Sequence, residues 1–177
     1  MLKRWTRLST QDLYRNPWWT YKVDKFEIEG GPSGEYHYVY TEGSSMVIPV
    51  TSGGEVLMVK QFRYLCQKES VELPSGSVKP GHTHLETAHL ELSEETGHRA
   101  REMEEVGEFN PYNGVTSEIC KVYVARHLEP CAAEPDETEE FELLSLAPET
   151  VDSMIRDGTI WDGMTLAAWL LGRRSIV

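Results

Sequence analysis

The chain has 177 residues, a formal net charge of −12 and an ordinary hydrophobic fraction of 40%. This length and composition predict a globular protein with a substantial core and exclude a disordered chain. The acidic balance argues against nonspecific binding to nucleic acid or to an anionic membrane, because both need basic patches. A small phosphorylated substrate remains compatible with it, since a bound cation can bridge acidic side chains to phosphate.

The cysteines and the apolar runs indicate a cytoplasmic protein. Cys66, Cys120 and Cys131 have no C-x-x-C spacing, which argues against zinc and disulfide frameworks and favours a reducing compartment. Residues 1–5 carry charges that no apolar run follows, so we expect no secretory signal. The longest apolar stretch, residues 166–171, is too short to span a membrane.

The first third of the chain predicts strands. Residues 18–29 and 35–42 are typical of two strands joined by a glycine-rich turn, and residues 45–50 and 54–62 predict two more. The first pair is rich in aromatic residues, which serve either ordinary strand packing or a stacking surface for a nucleobase. These residues are Trp18, Trp19, Tyr36 and Tyr38.

Residues 72–98 predict a strand end, an irregular loop and a helix. Thr83 is a suitable N-cap with Glu86 at the capping-box spacing, and Gly97 is a suitable terminator. The residues at helical spacing that predict its apolar face are Leu85, Ala88, Leu92 and Thr96.

Three carboxylates occupy the second half of this helix. Glu91, Glu94 and Glu95 share a face, and they lie near the negative end of the helix dipole with no Lys or Arg in residues 83–98. The arrangement predicts either a site for a hard divalent cation with oxygen ligands or a solvated acidic face.

This stretch resembles the Nudix box, whose pattern is G-x5-E-x7-R-E-U-x-E-E-x-G-U with U an apolar residue. The positions in register are Gly76, Glu91, Leu92, Glu94, Glu95 and Gly97. Three positions depart from it, with His82 in place of Glu, Leu90 in place of Arg and His98 in place of an apolar residue. We expect His82 and Leu90 to be a joint replacement of an ion pair, in which Leu90 holds the loop by apolar contact.

The resemblance implies a metal site. Glu91 and Glu95 would be the main ligands, assisted by Glu94 and by the backbone carbonyl of Ser75. The implied cation is Mg²⁺, with Mn²⁺ as an alternative, and the histidines around the box leave a softer metal such as Zn²⁺ open.

The resemblance also implies residues that bind substrate. Arg63, at the end of a matching strand, would clamp a diphosphate through its guanidinium fork. Glu72 would contact substrate or metal. Trp19 and Tyr36 would contact adenine, and Pro111 resembles the loop proline of ADP-ribose pyrophosphatases.

The second half of the chain predicts two strands, an acidic loop and two helices. Residues 102–109 and 118–127 are expected to be strands. The acidic loop of residues 129–142 is either a solvated segment or, by resemblance, the source of the catalytic base, with Glu137 and Glu139 as the candidates. After a strand at FELLSL, residues 148–157 and 162–172 predict two helices. Asp162 is a suitable N-cap for the second, and its apolar residues, which include Leu170 and Leu171, predict that it is a core helix.

Together these features imply a Nudix α/β/α sandwich with a mixed sheet in residues 45–177. Residues 1–44 would form an N-terminal β-hairpin extension that supports a homodimer. The implied reaction is the metal-dependent hydrolysis of ADP-ribose or a related nucleoside diphosphate sugar, giving a nucleoside monophosphate and a sugar phosphate. Two alternatives are a GDP-sugar hydrolase and a degenerate Nudix domain that binds a nucleotide without hydrolysing it.

Overall fold

The computed structural model describes residues 2–132 and 140–176. The chain divides into two compact units, Met1–Glu42 with Asn110–Glu118, and Gly43–Phe109 with Ile119–Val177. The assignment of residues 1–44 and 45–177 to an extension and a Nudix domain stays a prediction.

The first unit contains an antiparallel sheet in the order β1-β2-β3. Its strands are β1 Trp5–Arg15, β2 Thr20–Ile28 and β3 Ser33–Tyr40. The predicted strands at 18–29 and 35–42 are confirmed, and β2 and β3 pair antiparallel as the predicted hairpin, to which β1 adds a third strand that was not predicted. All residues of β1 are exposed and its pairing with β2 is shifted twice, so its sequence lacks the apolar alternation by which a strand is predicted.

The second unit contains two sheets. One has the order β7-β4-β9-β8 and the other β10-β5-β6; β4 and β9 run parallel and the remaining pairs are antiparallel. The strands are β4 Ser44–Pro49, β5 Val56–Arg63, β6 Lys68–Glu72, β7 Ser75–Ser77, β8 His98–Phe109, β9 Cys120–Pro130 and β10 Glu142–Leu146. The short strand β7 lies within the segment predicted as an irregular loop.

Helices cover the sheets of this unit. The helices are α1 His84–Thr96, α2 Pro148–Arg156 and α3 Gly163–Gly172, followed by the 3-10 turn Arg173–Ile176. Strand β4 lies at the centre: Val47 packs with Leu92 of α1, whereas Met46 and Ile48 join a second cluster that includes Trp169 of α3. This mixed-sheet α/β arrangement confirms the predicted fold class.

Helix α1 begins and ends as predicted. The Thr83 side chain accepts a hydrogen bond from the Glu86 backbone N–H, the Glu86 side chain accepts from Thr83, and Gly97 adopts the left-handed conformation with φ 66°. Of the predicted apolar face, Ala88, Leu92 and Thr96 are buried. Leu85 in the first turn is 44% exposed, so its assignment to that face is wrong.

The last helix departs from its sequence pattern at its end. Asp162 caps α3 as predicted by accepting a hydrogen bond from the Thr165 N–H at 2.7 Å. Leu170 and Leu171 were expected in the core but are 80% and 37% exposed. The buried side of α3 is instead the one that carries Ala168. No helix in the described part of the chain is long and apolar enough to cross a bilayer.

Candidate active site

The acidic face of α1 lies against the backbone of β7. Glu95 is only 8% exposed, and its Oε2 accepts a hydrogen bond from the Ser75 N–H at 3.2 Å. The Glu91 carboxylate lies against Gly76, where an added Cβ would come within 1.9 Å of Glu91 Oε1. Only glycine leaves room for this approach. The structure therefore brings together three of the predicted positions, Ser75, Glu91 and Glu95.

The third box glutamate is less constrained. Glu94 is half-buried, and no hydrogen bond or ion pair joins it to another described residue. Within residues 2–132 and 140–176, no group of three His, Cys, Asp or Glu side chains is placed to hold a metal ion by itself. The described side chains therefore do not form a metal site in which the protein supplies all the ligands.

The donors nevertheless suit a hard divalent cation. Glu91 and Glu95 supply carboxylate oxygens, and the absence of a side chain at Gly76 lets the Glu91 carboxylate approach the backbone there. Mg²⁺ usually takes one or two carboxylates and completes its coordination with water and substrate phosphates. The residues present fit that mode of binding, because their donors are carboxylate oxygens, which suit a hard cation.

A buried ion pair lies on the ribbon formed by β5 and β6. Arg63 Nε donates to Glu72 Oε1 at 2.8 Å, and a second nitrogen of the guanidinium donates to Glu72 Oε2. The Glu72 side chain is 3% exposed, whereas that of Arg63 is 46% exposed. Gln61 Nε2 lies 3.5 Å from Glu72 Oε2. The buried carboxylate thus holds a guanidinium that is itself half open to solvent.

The surroundings of Arg63 raise the pKa of its guanidinium above the ordinary value. The hydrogen bonds to Glu72 are the main cause, and the charges of Glu72, Asp162 and Glu95 act in the same direction, while partial burial opposes them. Arg63 is therefore a cation outside α1 whose charge offsets part of the negative charge of the box.

The loop between β7 and α1 is held by backbone contacts. The Val78 N–H donates to Gly43 O at 2.9 Å, and the His82 N–H donates to Lys79 O at 3.0 Å. The expectation that Leu90 holds this loop by apolar contact is wrong, because Leu90 is 37% exposed. The contact of Glu95 with Ser75 and the capping box of α1 fix the loop instead.

The predicted nucleobase contacts lie in the first unit. Tyr36 donates to Gly114 O at 3.0 Å and makes an edge contact with the ring of Trp5. Tyr36 pairs with Asp24 of β2, which lies five residues beyond Trp19, so Trp19 and Tyr36 do not adjoin each other in the described chain. Trp19 instead has its ring centroid 5.7 Å from that of Tyr14.

Tyr36 also lines an open cavity of about 430 Å³ in the same unit. Other residues of this cavity include Arg7, Lys22, Asp24 and Thr116. Pro111 belongs to the segment of residues 110–118 that carries Thr116. The roles assigned to Trp19, Tyr36 and Pro111 stay predictions.

The two candidates for the catalytic base, Glu137 and Glu139, lie outside the described residues.

Two residues beside Arg63 were not predicted from the sequence. Lys68 pairs directly with Arg63 across the β5–β6 ribbon, and its Nζ lies 3.8 Å from the centroid of the Trp161 ring. The hairpin register could have placed Lys68 opposite Arg63. The contact with Trp161 joins residues far apart in the chain and has no local sequence signal.

The buried pair of Arg63 and Glu72 yields a test by a double-mutant cycle. Arg63→Met should destabilise the fold by about 3–5 kcal/mol, because it leaves the Glu72 carboxylate buried without its partner. The double variant with Glu72→Leu should be less destabilised than the sum of the single changes, with a coupling of about 1 kcal/mol or more. Urea unfolding of the four proteins measures this coupling.

The matched control for this cycle is the solvent-accessible pair of Lys60 on β5 and Glu142 on the neighbouring strand β10, whose charged atoms are 3.2 Å apart. Its cycle should show no measurable coupling. Strict additivity for Arg63 and Glu72 would contradict a buried, mutually dependent pair.

Three findings relate the chain to known proteins. The family model described as NUDIX domain matches residues 40–161. The chain is 31% identical over 163 residues to the methanol dehydrogenase activator of Bacillus methanolicus, with 91% of this chain and 88% of that protein covered. It is 30% identical over 148 residues to the ADP-ribose pyrophosphatase of Bacillus subtilis (strain 168), with 82% and 80% covered.

A solved structure shares the fold. The crystal structure of an ADP compounds hydrolase superposes with a TM-score of 0.86 at 20% identity, and the match covers 99% of this chain and 96% of that one. The family match covers well over half of the chain and includes the box glutamates and Arg63. The resemblance drawn from the box is thereby confirmed: the chain belongs to the Nudix family and is a Nudix hydrolase.

Proposed function

We propose that the protein hydrolyses the diphosphate linkage of ADP-ribose or a related nucleoside diphosphate sugar, giving a nucleoside monophosphate and a sugar phosphate. The observation that carries this proposal is the placement of Glu91 and Glu95 against the backbone of Ser75 and Gly76. The 30% identity to an ADP-ribose pyrophosphatase over most of both chains supports the choice of substrate.

The metal ligands would be Glu91, Glu95 and the Ser75 carbonyl, with Glu94 assisting. The cation we propose is Mg²⁺, with Mn²⁺ as an alternative, since Nudix hydrolases generally need divalent metals. When bound, the cation neutralises phosphate charge and lowers the pKa of a coordinated water.

Arg63 would bind the diphosphate. Two of its nitrogens donate to Glu72, and the remaining N–H groups of the half-exposed guanidinium are open to phosphate oxygens. Glu72 would then serve to orient Arg63, because its carboxylate is almost fully buried and already engaged by this pair. Such a fixed fork binds phosphate without first being ordered by the substrate.

The hydrolysis itself needs a base for the attacking water. The water oxygen bonds to one phosphorus as the bridging P–O bond breaks, and one proton of the water is removed by Glu137 or Glu139. The departing phosphate leaves with the bridging oxygen. In the same proposal Trp19 and Tyr36 contact the adenine and Pro111 shapes the loop near it.

The altered box positions also admit a domain that binds a nucleotide without hydrolysing it. The loop before α1 is nevertheless fixed by the contact of Glu95 with Ser75 and by the Thr83 capping box, although the family ion pair is absent. This intact loop favours hydrolysis. A GDP-sugar remains the competing substrate, and a panel of nucleoside diphosphate sugars separates the two.

We also propose that the protein is a homodimer joined through β1. This strand lies at the edge of its sheet, and all eleven of its residues are exposed. Its apolar side chains include Trp5 at 55%, Leu8 at 57% and Tyr14 at 58% exposure. A long exposed edge with large apolar side chains is a template for pairing with a second chain. The cytoplasmic location stays a prediction from cysteine spacing.

The hydrolase proposal is tested by removing one charge from the box. Glu95→Gln should lower AMP release from ADP-ribose by at least 100-fold, on the order expected for loss of one transition-state charge contact, and should weaken Mn²⁺ binding measured by electron paramagnetic resonance. Glu86→Gln is the matched control on the same helix, because Gln retains the capping box.

Full activity of Glu95→Gln would contradict the proposed role of this carboxylate. Wild-type protein that releases no nucleoside monophosphate from any nucleoside diphosphate sugar, with Mg²⁺ or Mn²⁺, would favour the binding domain.

The dimer proposal is tested by sedimentation equilibrium. Leu8→Glu with Leu13→Glu should convert the protein to a monomer, because both side chains are exposed on β1 and a charge there opposes apolar contact. Leu170→Glu, at an 80% exposed position on α3, should leave the dimer unchanged. A monomeric wild-type protein at micromolar concentration would contradict the proposal.

A further inference from the structure

Two cations lie directly opposite each other on the β5–β6 ribbon. Arg63 pairs with Lys68 in the antiparallel register, so their side chains leave the same face of the ribbon with Cβ atoms about 5 Å apart. Glu72 lies four residues along β6 from Lys68, on the same face, and contacts Arg63. Like charges directly opposite each other are unfavourable in a sheet. The placement of these two positive charges opposite each other therefore needs a physical reason.

The two cations are compensated differently. Arg63 is paired with the buried Glu72, whereas Lys68 forms no ion pair with any residue in the described ranges. The chain carries 29 acidic residues against 17 basic ones, yet the contact of Lys68 is with the ring of Trp161. Lys68 is exposed, and no carboxylate in the described ranges neutralises its positive charge.

Trp161 positions Lys68. The lysine Nζ lies 3.8 Å from the centroid of the Trp161 ring, and the indole N–H donates to Glu69 O at 3.1 Å, which fixes the orientation of the ring. A cation over an aromatic face is held in place without being neutralised. Trp161 directly precedes Asp162, the N-cap of α3, so the ring is attached to a fixed helix start.

We propose that Lys68, held on the ring of Trp161, is a second cationic contact for the diphosphate of the substrate, beside Arg63. The anion would lie between the two side chains, where it relieves their mutual repulsion and accepts charge-assisted hydrogen bonds from both. Trp161 acts through Lys68 and is a positioning residue. This inference rests on the proposed function, because it takes the substrate to carry a diphosphate.

Binding of a non-hydrolysable probe tests the proposal without turnover. The probe is α,β-methylene-ADP-ribose, in which a CH₂ group replaces the bridging oxygen, and its affinity is measured by titration calorimetry with Mg²⁺ present. Lys68→Met should weaken binding roughly tenfold, in the range for loss of one hydrogen bond to a charged group. Lys68→Arg should stay within about twofold of wild type, because a guanidinium also stacks on an indole ring and binds phosphate.

Lys60→Met is the matched control. Lys60 carries the same charge on β5, the neighbouring strand of the same ribbon, but points to the opposite face, where it pairs with Glu69 and Glu142. It should bind the probe like wild type. Trp161→Leu should weaken binding about threefold, and Trp161→Phe should restore it, because the phenyl ring still supports the ammonium. In active protein, Lys68→Met should raise KM about tenfold with kcat nearly unchanged.

The outcomes separate this inference from the proposed function. Wild-type protein that binds the probe but releases no nucleoside monophosphate from any nucleoside diphosphate sugar refutes hydrolysis, and the comparison of Lys68→Met with Lys60→Met still decides the role of Lys68. Equal affinity of Lys68→Met and wild type overturns the inference, as does an equal loss in Lys60→Met or the absence of any binding by wild type. Thermal unfolding of each variant identifies a loss of affinity that arises from a damaged fold.

Discussion

The contact between the acidic face of α1 and the backbone of β7 is the interaction on which the candidate site depends. Glu95 accepts a hydrogen bond from Ser75, and Glu91 occupies the space that a side chain at position 76 would fill. Both carboxylates lie near the negative end of a helix dipole, which disfavours them by about 0.3–1 kcal/mol each at exposed sites. No basic residue occupies the last turn of α1 to offset this. The fold holds the carboxylates there because an adjoining side of α1 packs its Leu92 against Val47 of the central strand.

The charges around this contact are arranged on two elements. Helix α1 supplies the negative charges that suit a cation, and the β5–β6 ribbon supplies Arg63 and Lys68, which suit an anion. Glu72 and Trp161 keep these two cations in place by different means, one by a buried ion pair and the other by an aromatic face. A metal–diphosphate complex needs both kinds of charge. The protein can therefore bind a polyanionic substrate although its own net charge is −12.

Much of helix α1 and its acidic face could be predicted from the sequence, because the sequence patterns that specify them are local. The cap at Thr83, the end at Gly97 and the spacing of the box glutamates depend on neighbouring residues in one helix. Strand β1 was missed because it is exposed throughout and its register is irregular.

The position of Leu90 and the ends of α3 depend on packing partners that the local pattern does not contain. The pairs Arg63–Glu72 and Lys68–Trp161 were missed for the same reason. The pair Arg63–Glu72 can be predicted only when the register of the β5–β6 hairpin is known. The contact Lys68–Trp161 joins strand β6 to the start of α3.

The most direct measurement of the central claim is the position of a metal in the substrate complex. Crystals grown with Mn²⁺ and α,β-methylene-ADP-ribose would locate the ion by its anomalous scattering. The account predicts an ion bound by the carboxylates of Glu91 and Glu95 and by phosphate oxygens of the probe. An ion and probe bound elsewhere, with neither carboxylate in contact with them, would contradict it.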